Sequence, residues 1–267
     1  MHPIPISERV TLLYLDRGVL EQDGHTIVLE QEDRKTLIPV GITAVLMLGP
    51  GVTVTHAAVK LCAQEGAILV WTGEQGVRTY AVGNPRGKSE SLLQQARFRN
   101  CPSGHLLVAR RIFAHMFGES PPIRYSVDQI RGLEGSKVKK WYASMAEQKG
   151  VEWNGKQADL SNPVNRALAG CNAALYGIAE AVILALGYCP SVGFVHSGDG
   201  RSFVFDLADT IKFKTVAPLA FELASNHGVG LTESKVRHAC RDLFFHEGVA
   251  RKLIENLESL FNADGAA

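Results

Sequence analysis

Short apolar runs separated by turn residues fill the chain up to about residue 83. The runs are rich in β-branched and aromatic residues, as strands are. One stretch has a helical period instead, with Thr55 as its candidate N-cap and Gly66 as its C-terminal stop. The pattern predicts a β-rich N-terminal region with strands at RVTLLYL, TIVLEQ, KTLIPV, TAVLMLG, AILVWTG and RTYAVG.

The spacing changes near residues 84–91, where GNPRGKSES has the composition of a linker. Beyond it, apolar residues recur at helical spacing, and NPVNRALAGCNAALYGIAEAVILALG is apolar nearly all round, which is typical of a central helix. We therefore predict an α+β protein. A small β-rich domain spans residues 1–84, a linker spans 85–91, and a larger all-α domain spans 92–267.

The net charge of +1 hides an uneven distribution along the 267 residues. Between Arg86 and Lys140 there are eleven Lys and Arg against four Asp and Glu, a balance of +7, and the rest of the chain carries −6. Such asymmetry is typical of a surface that attracts polyanions, although a solvated helical face produces the same count.

Compartment and membrane signals point to a soluble, cytoplasmic protein. The N-terminus MHPIPISERVTLLYL lacks the apolar run of a secretory signal, and the apolar stretch GIAEAVILALGYCP is too short to span a bilayer. Five scattered cysteines without CxxC spacing indicate a reducing environment and buried apolar thiols, not a disulfide framework or a zinc site.

Candidate chemistry is concentrated in GFVHSGDGRSFVFDLADTIKF, residues 193–213. If FDLADTIKF is helical, Asp206, Asp209 and Lys212 share one stripe, and the SGDGR loop can bring His196 to the start of that helix. A histidine with carboxylates and no cysteine suits Mg²⁺ or Mn²⁺. The alternative is a helix N-terminus with capping carboxylates and a satisfied core histidine.

A further carboxylate, Glu134, lies between Gly132 and Gly135 in RGLEGSKVKKWY. Glycine costs a helix about 1 kcal/mol relative to alanine, so the pair suggests close approach by backbone or ligand. Pairing of Glu134 with the nearby lysines on a solvated face is the simpler interpretation. One acid in the most basic part of the chain is also how a phosphodiester site looks, because cations hold the nucleic-acid backbone and the acid holds a metal.

Three separated segments together resemble the CRISPR-associated spacer-acquisition integrases, the Cas1 family, and in particular subtype I-E. They are PGVTVTHAAVKLCAQEGAILVWTGEQGVRTYAVG, RGLEGSKVKKWYA and LYGIAEAVILALGYCPSVGFVHSGDGRSFVFDLADTIKFKTVAP. The likeness covers nearly the whole chain. It implies the same order of an N-terminal β domain, used for dimerisation, and a C-terminal helical catalytic domain.

The resemblance also implies roles for individual residues. Metal ligation falls to Glu134, His196 and Asp209, with Asp206 and Lys212 as further catalytic residues. The residues expected to bind DNA are Arg78, Lys137, Lys139, Lys140, Tyr176, Arg237 and Arg241.

The function implied is metal-dependent joining of the 3′-hydroxyl ends of captured DNA to a CRISPR array, or nicking when water attacks instead. Mg²⁺ or Mn²⁺ is the expected cofactor. The expected partners are double-stranded DNA, a second copy of the chain and a dimer of the small Cas2 protein. Two alternatives stay open: a non-catalytic DNA-binding scaffold, and a phosphodiesterase that acts on small substrates.

Overall fold

The computed structural model describes residues 10–73, 79–83, 89–153, 155 and 160–262. Strands precede helices along the chain, as predicted, and the α+β class is confirmed. The elements are β1 Val10–Leu15, β2 Gly18–Asp23, β3 Thr26–Gln31, β4 Arg34–Ile38, β5 Thr43–Leu48, β6 Val52–Val54, α1 His56–Glu65, β7 Ile68–Thr72, β8 Thr79–Gly83, α2 Glu90–Asn100, α3 Pro102–Phe117, α4 Val127–Lys149, α5 Pro163–Ala185, α6 Ser202–Lys212, α7 Val216–His227, α8 Glu233–His246 and α9 Val249–Phe261.

Two four-stranded sheets form the N-terminal region, in the orders β1-β5-β7-β8 and β4-β3-β2-β6. Helix α1 has Thr55 as its N-cap, whose hydroxyl accepts from the Ala58 amide, and Gly66 as its C-cap with φ 74°, as the sequence predicts. Strands β2 and β6 are missing from the prediction. Gly18 opens β2, and a Cβ there would overlap the Glu30 carbonyl, so β2 starts with a residue that strand propensity disfavours.

Helix α5 forms the centre of the helical part. It is 23 residues long and, by length and composition alone, apolar enough to cross a membrane, and the shorter stretch GIAEAVILALGYCP supplies only residues 177–185 of it. However, 67% of its most apolar window is buried inside the protein, as in the core helix of a soluble protein. The cytoplasmic location stays a prediction.

The β and α parts share a hydrophobic interface. Val45, Met47 and Val70 on one face of the first sheet pack with Ala181 and Ala185 near the end of α5.

Three of the five cysteines are buried as predicted, whereas Cys101 is exposed and Cys189 is partly exposed. The division into domains at residue 84 stays a prediction, and most of the proposed linker (residues 84–88) lies outside the described residues.

Helix α7, at Val216–His227, was not predicted. Pro218 lies in its first turn, where a proline has no hydrogen bond to break, so the residue that reads as a helix breaker is compatible with the helix. Its buried face, which includes Phe221 and Ala224, packs against α5.

Candidate metal centre

Asp206 lies in the middle of α6 and is fully buried. Its Oδ2 accepts hydrogen bonds from the amides of Phe194 (2.5 Å) and Val195 (3.1 Å), and its Oδ1 accepts from the His196 amide at 2.9 Å. Three backbone donors offset the penalty for burying a carboxylate. The carboxylate thus fixes the loop before α6 against the helix.

The same carboxylate orients the His196 ring, since Asp206 Oδ1 lies 2.8 Å from His196 Nδ1. This bond raises the pKa of His196 above its usual value. It also makes Nδ1 the protonated nitrogen and leaves Nε2 as the donor for a metal, the arrangement in which a carboxylate supports a metal-binding histidine.

Two side chains from the helical domain hold the rest of this loop. Gln95 of α2, fully buried, donates to the carbonyls of Cys189 (3.0 Å) and Val192 (2.9 Å) and accepts from the Cys189 amide at 2.8 Å. His105 of α3 contacts the Phe194 carbonyl at 2.7 Å. Nothing in the sequence pattern separates Gln95 from an ordinary polar helix residue, so both supports were missed.

Glu134 comes from α4, whose N-terminus is fixed by a capping box between Ser126 and Gln129. Burial raises the pKa of its carboxyl to about 7, and the nearby Asp209 carboxylate adds to this effect. Apart from the backbone of α4 and the immediate chain neighbours, no described atom lies within 4 Å of the Cβ position of Gly132 or Gly135. The close approach by backbone that the two glycines suggest is therefore not found among the described residues, and both glycines lie about 100° or more around the helix from Glu134.

Glu134, His196 and Asp209 each offer one ligand atom within 4.8 Å of the other two. Mg²⁺ or Mn²⁺ with bonds near 2.1 Å holds adjacent ligands about 3 Å apart and opposite ligands about 4.2 Å apart, so three atoms this close together can share one ion after small side-chain movements. Both metals accept two carboxylates and one imidazole as ligands, so these three residues fit a Mg²⁺ or Mn²⁺ ion.

Lys212 pairs with Asp209, with Nζ 3.0 Å from Oδ1, and both side chains are more than nine-tenths buried. Burial opposes the lysine charge, but the Asp209 carboxylate together with Tyr176 and Tyr142 outweighs it and raises the pKa of Lys212. Tyr176 of α5 is also near the ammonium, with its ring centre 6.0 Å from Nζ. Lys212 therefore stays charged next to the candidate ligands.

The basic residues of α4 point in different directions. With about 100° between successive residues, Arg131 and Lys137 lie about 60° on either side of Glu134, whereas Lys139 and Lys140 lie more than about 100° away. Lys137 forms an ion pair with Glu119, and Lys139 and Lys140 are exposed.

Arg237 and Arg241 lie on α8. Arg237 forms an ion pair with Glu233 at 3.4 Å and lines a groove beside α5, and Arg241 is exposed and paired with Asp242. The predicted DNA-binding residue Arg78 lies outside the described residues.

Part of the +7 segment serves the fold. Arg110 donates to the carbonyls of Pro121 and Pro122, and Arg111 donates to those of Leu260 and Asn262. These guanidinium groups hold the α3–α4 connection and the end of α9 in place, so the surface available to a polyanion is smaller than the charge count suggests.

The chain is similar to known proteins over nearly its whole length. The family described as CRISPR associated protein Cas1 matches residues 12–121 and 117–259. The CRISPR-associated endonuclease Cas1 of Escherichia coli K12 is 44% identical over 98% of this chain and 88% of its own length. That of Geobacter sulfurreducens is 44% identical over 99% and 89%. A crystal structure of a TtCas1–DNA complex matches with a TM-score of 0.85 and 35% identity, covering 98% of this chain and 100% of the other.

Proposed function

The chain belongs to the Cas1 family of CRISPR-associated proteins, and on that premise we propose that it is a metal-dependent DNA endonuclease and integrase of CRISPR adaptation. The observation that carries the proposal is the convergence of Glu134, His196 and Asp209. The relatives named as endonucleases support the nuclease activity. The proposal of a joining reaction rests on the resemblance of the three sequence segments to the Cas1 family.

Glu134, His196 and Asp209 would hold Mg²⁺ or Mn²⁺. The bound ion supplies Lewis-acid polarisation of a phosphoryl oxygen and stabilises its developing negative charge. In the joining reaction the 3′-hydroxyl oxygen of a captured DNA end bonds to phosphorus at the repeat edge. The bond to the repeat's own 3′ oxygen breaks, and that oxygen leaves as a hydroxyl. Water in place of the 3′-hydroxyl gives a nick.

The protein's own groups prepare the site for this transfer. Asp206 accepts hydrogen bonds from three amides of the loop and one more bond joins it to the His196 ring, so the site is preorganised before substrate arrives. Lys212 keeps a positive charge beside Asp209 and would offset part of the charge on a bound phosphate. Asp206 acts through His196 and is thus a positioning residue.

DNA would reach the site along the surfaces that carry Tyr176, Arg237 and Arg241, with Arg78, Lys137, Lys139 and Lys140 as further phosphate contacts. The structure of a DNA-bound relative supports DNA binding by this chain. Such contacts position a duplex with little reading of sequence.

We extend the proposal to the assembly. Two copies of the chain form a homodimer through residues 1–84, and two such homodimers bracket a Cas2 dimer. Leu37 on the edge strand β4 is 69% exposed, and an exposed apolar side chain on an unpaired strand edge supports a contact there.

The test is an oligonucleotide integration and nicking assay in Mn²⁺ with Glu134→Gln. Glu147→Gln is the control, since Glu147 is an exposed glutamate on the same helix. We expect the rate of Glu134→Gln to be at least about 100-fold lower than that of the parent. Loss of a residue that supports a metal ligand already lowers activity by up to about 100-fold, and Glu134 is a proposed ligand itself. The control should keep the parent rate.

Equal rates for Glu134→Gln and the parent would refute the site. DNA binding without any nicking or joining, and without an effect of chelator, would favour a non-catalytic scaffold. Turnover of mononucleotide esters with little salt dependence would favour a small-substrate phosphodiesterase.

A further inference from the structure

Two contacts of His105 decide which of its ring nitrogens carries the proton. A terminal guanidinium nitrogen of Arg99 lies 3.1 Å from His105 Nδ1, and a guanidinium can only donate. Nδ1 must therefore accept, which places the ring proton on Nε2. That nitrogen is 2.7 Å from the Phe194 carbonyl oxygen, which can only accept. This tautomer satisfies both contacts, and the other tautomer satisfies neither.

The carbonyl that His105 holds belongs to a peptide group that also binds Asp206. In the peptide group between Phe194 and Val195, the oxygen accepts from His105, and the Val195 amide donates to Asp206 Oδ2 at 3.1 Å. Donation to the oxygen polarises the peptide group and strengthens the hydrogen bond that its N–H donates. His105 and Asp206 therefore hold opposite ends of one planar unit.

Asp206 connects this peptide group to a candidate metal ligand. Its other oxygen, Oδ1, lies 2.8 Å from His196 Nδ1 and accepts the proton of that nitrogen, so Nε2 is left for a metal. A continuous series of hydrogen bonds thus runs from Arg99 through His105, one peptide group and Asp206 to His196. The two histidines in the series carry their protons on opposite ring nitrogens.

The ring of Phe194 is anchored independently of its carbonyl. It packs edge-on against Phe203 and Phe261, with ring centres 5.9 Å and 5.6 Å away. Since the ring fixes the position of the residue, the hydrogen bond from His105 sets the orientation of the peptide plane. Arg99 and His105 are only partly buried and line a surface cavity of about 470 Å³, so replacing them removes little from the core.

We propose that His105 is a positioning residue for the metal centre and that Arg99 selects its tautomer. His105 acts through the peptide group and Asp206 on the orientation of the His196 ring, and it touches neither metal nor substrate. Loss of a group that directly supports a metal ligand weakens metal binding about 10- to 100-fold, and His105 lies further out, so its effect is smaller. The inference rests on the proposed function for the metal that His196 would bind.

The first experiment is a calorimetric titration of the metal-free protein with Mn²⁺. His105→Phe keeps an aromatic ring against Phe194 and removes both hydrogen bonds, so the Kd should rise about fivefold, which corresponds to one hydrogen bond. His105→Gln, whose amide can donate to the Phe194 carbonyl and accept from Arg99, should stay within about twofold of the parent. The matched control is His115→Phe on the same helix, which loses a hydrogen bond to Ser259 of α9 and should keep the parent Kd.

The nicking rate separates positioning from a loss of folded protein. With Mn²⁺ below its Kd, His105→Phe should nick about fivefold more slowly than the parent. At saturating Mn²⁺ its rate should approach that of the parent, because the ligands themselves are intact. A variant that had merely lost folded protein would be slower by the same factor at both Mn²⁺ concentrations.

A third readout is the tautomer of each histidine, measured in chelator by ¹⁵N spectroscopy of the imidazole rings. The parent should carry its proton on Nε2 in His105 and on Nδ1 in His196. Arg99→Met removes the donor to His105 Nδ1. It should give a mixture of both His105 tautomers and raise the Mn²⁺ Kd about twofold.

A parent-like Kd in His105→Phe would overturn the inference and leave the proposed function intact, as would equal weakening in His115→Phe or no recovery in His105→Gln. A proton on Nδ1 of His105 in the parent would also overturn it, whatever the activity. If Mn²⁺ affinity depended on His105 in a protein without Mn²⁺-dependent nicking, the positioning role would stand and the proposed function would not. A parent that binds no Mn²⁺ would overturn both.

Discussion

Replacing Glu134 by glutamine should stabilise the metal-free protein and abolish its response to Mn²⁺. Burial and the neighbouring Asp209 carboxylate raise the pKa of Glu134 from 4.5 to about 7. Between pH 4.5 and about 7, the carboxyl is therefore mostly protonated in the folded protein and mostly ionised in the unfolded chain. A glutamine has nearly the same shape and cannot ionise at any pH.

The sign and size of the effect follow from this shift. Because the folded-state pKa lies above the unfolded value, the stabilising contribution of the protonated form is complete below pH 4.5 and is lost as pH rises to about 7. One pKa unit corresponds to about 1.4 kcal/mol, so at a pH near 8 the parent is less stable than Glu134→Gln by about 3 kcal/mol. Below pH 4.5 the two proteins should have the same free energy of unfolding.

The assay is urea unfolding in chelator at several pH values, repeated with Mn²⁺, with Glu147→Gln as control. Mn²⁺ at a hundred times its Kd should stabilise the parent by about 2.7 kcal/mol and leave Glu134→Gln unchanged. If Glu134→Gln were no more stable than the parent near pH 8 in chelator, the carboxyl would not be held in the environment described. If it kept the full Mn²⁺ response, Glu134 would not be a ligand.

Three further substitutions probe the surroundings of the site. Asp206→Asn should weaken Mn²⁺ binding about 10- to 100-fold in a calorimetric titration, because the metal-binding histidine loses its supporting carboxylate. Lys212→Met leaves Asp209 buried and unpaired, so metal-free urea unfolding should show a loss of about 3 kcal/mol that Mn²⁺ partly restores. Gly193→Ala places a Cβ against the carbonyl of the histidine loop and should destabilise by about 1–3 kcal/mol in thermal unfolding, whereas Gly200→Ala, with open space at its Cβ, should not.

The sequence predicts the fold best where the apolar period is long. The predicted helices and the caps of α1 are found because periodicity and capping are local properties. Strands β2 and β6 escape prediction since one opens with glycine and the other has three residues, too few for a period. Helix α7 escapes prediction because a proline breaks a helix in its interior. Pro218 lies in the first turn of α7, where a proline is harmless.

For the site, the residue types are predictable and their contacts are not. The spacing of Asp206 and Asp209 predicts one shared stripe, yet Asp206 accepts bonds from the loop that carries His196, and Asp209 pairs with Lys212. Which neighbour each acid meets depends on how α4, α6 and the loop pack. Gln95 could not be identified at all, because a buried amide has no periodic or compositional signal.

The charges of the site suggest why these acids differ in role. Asp206 has His196 and three backbone amides, and Asp209 has Lys212, so each is stabilised as an anion by a protein donor. Glu134 forms no ion pair among the described side chains, and a proton keeps it neutral up to a pH of about 7. A divalent cation at Glu134, His196 and Asp209 would replace that proton. The ion would therefore complete the site at Glu134, whose charge no ion pair among the described side chains compensates, while Asp206 already orients His196 and Lys212 already holds Asp209.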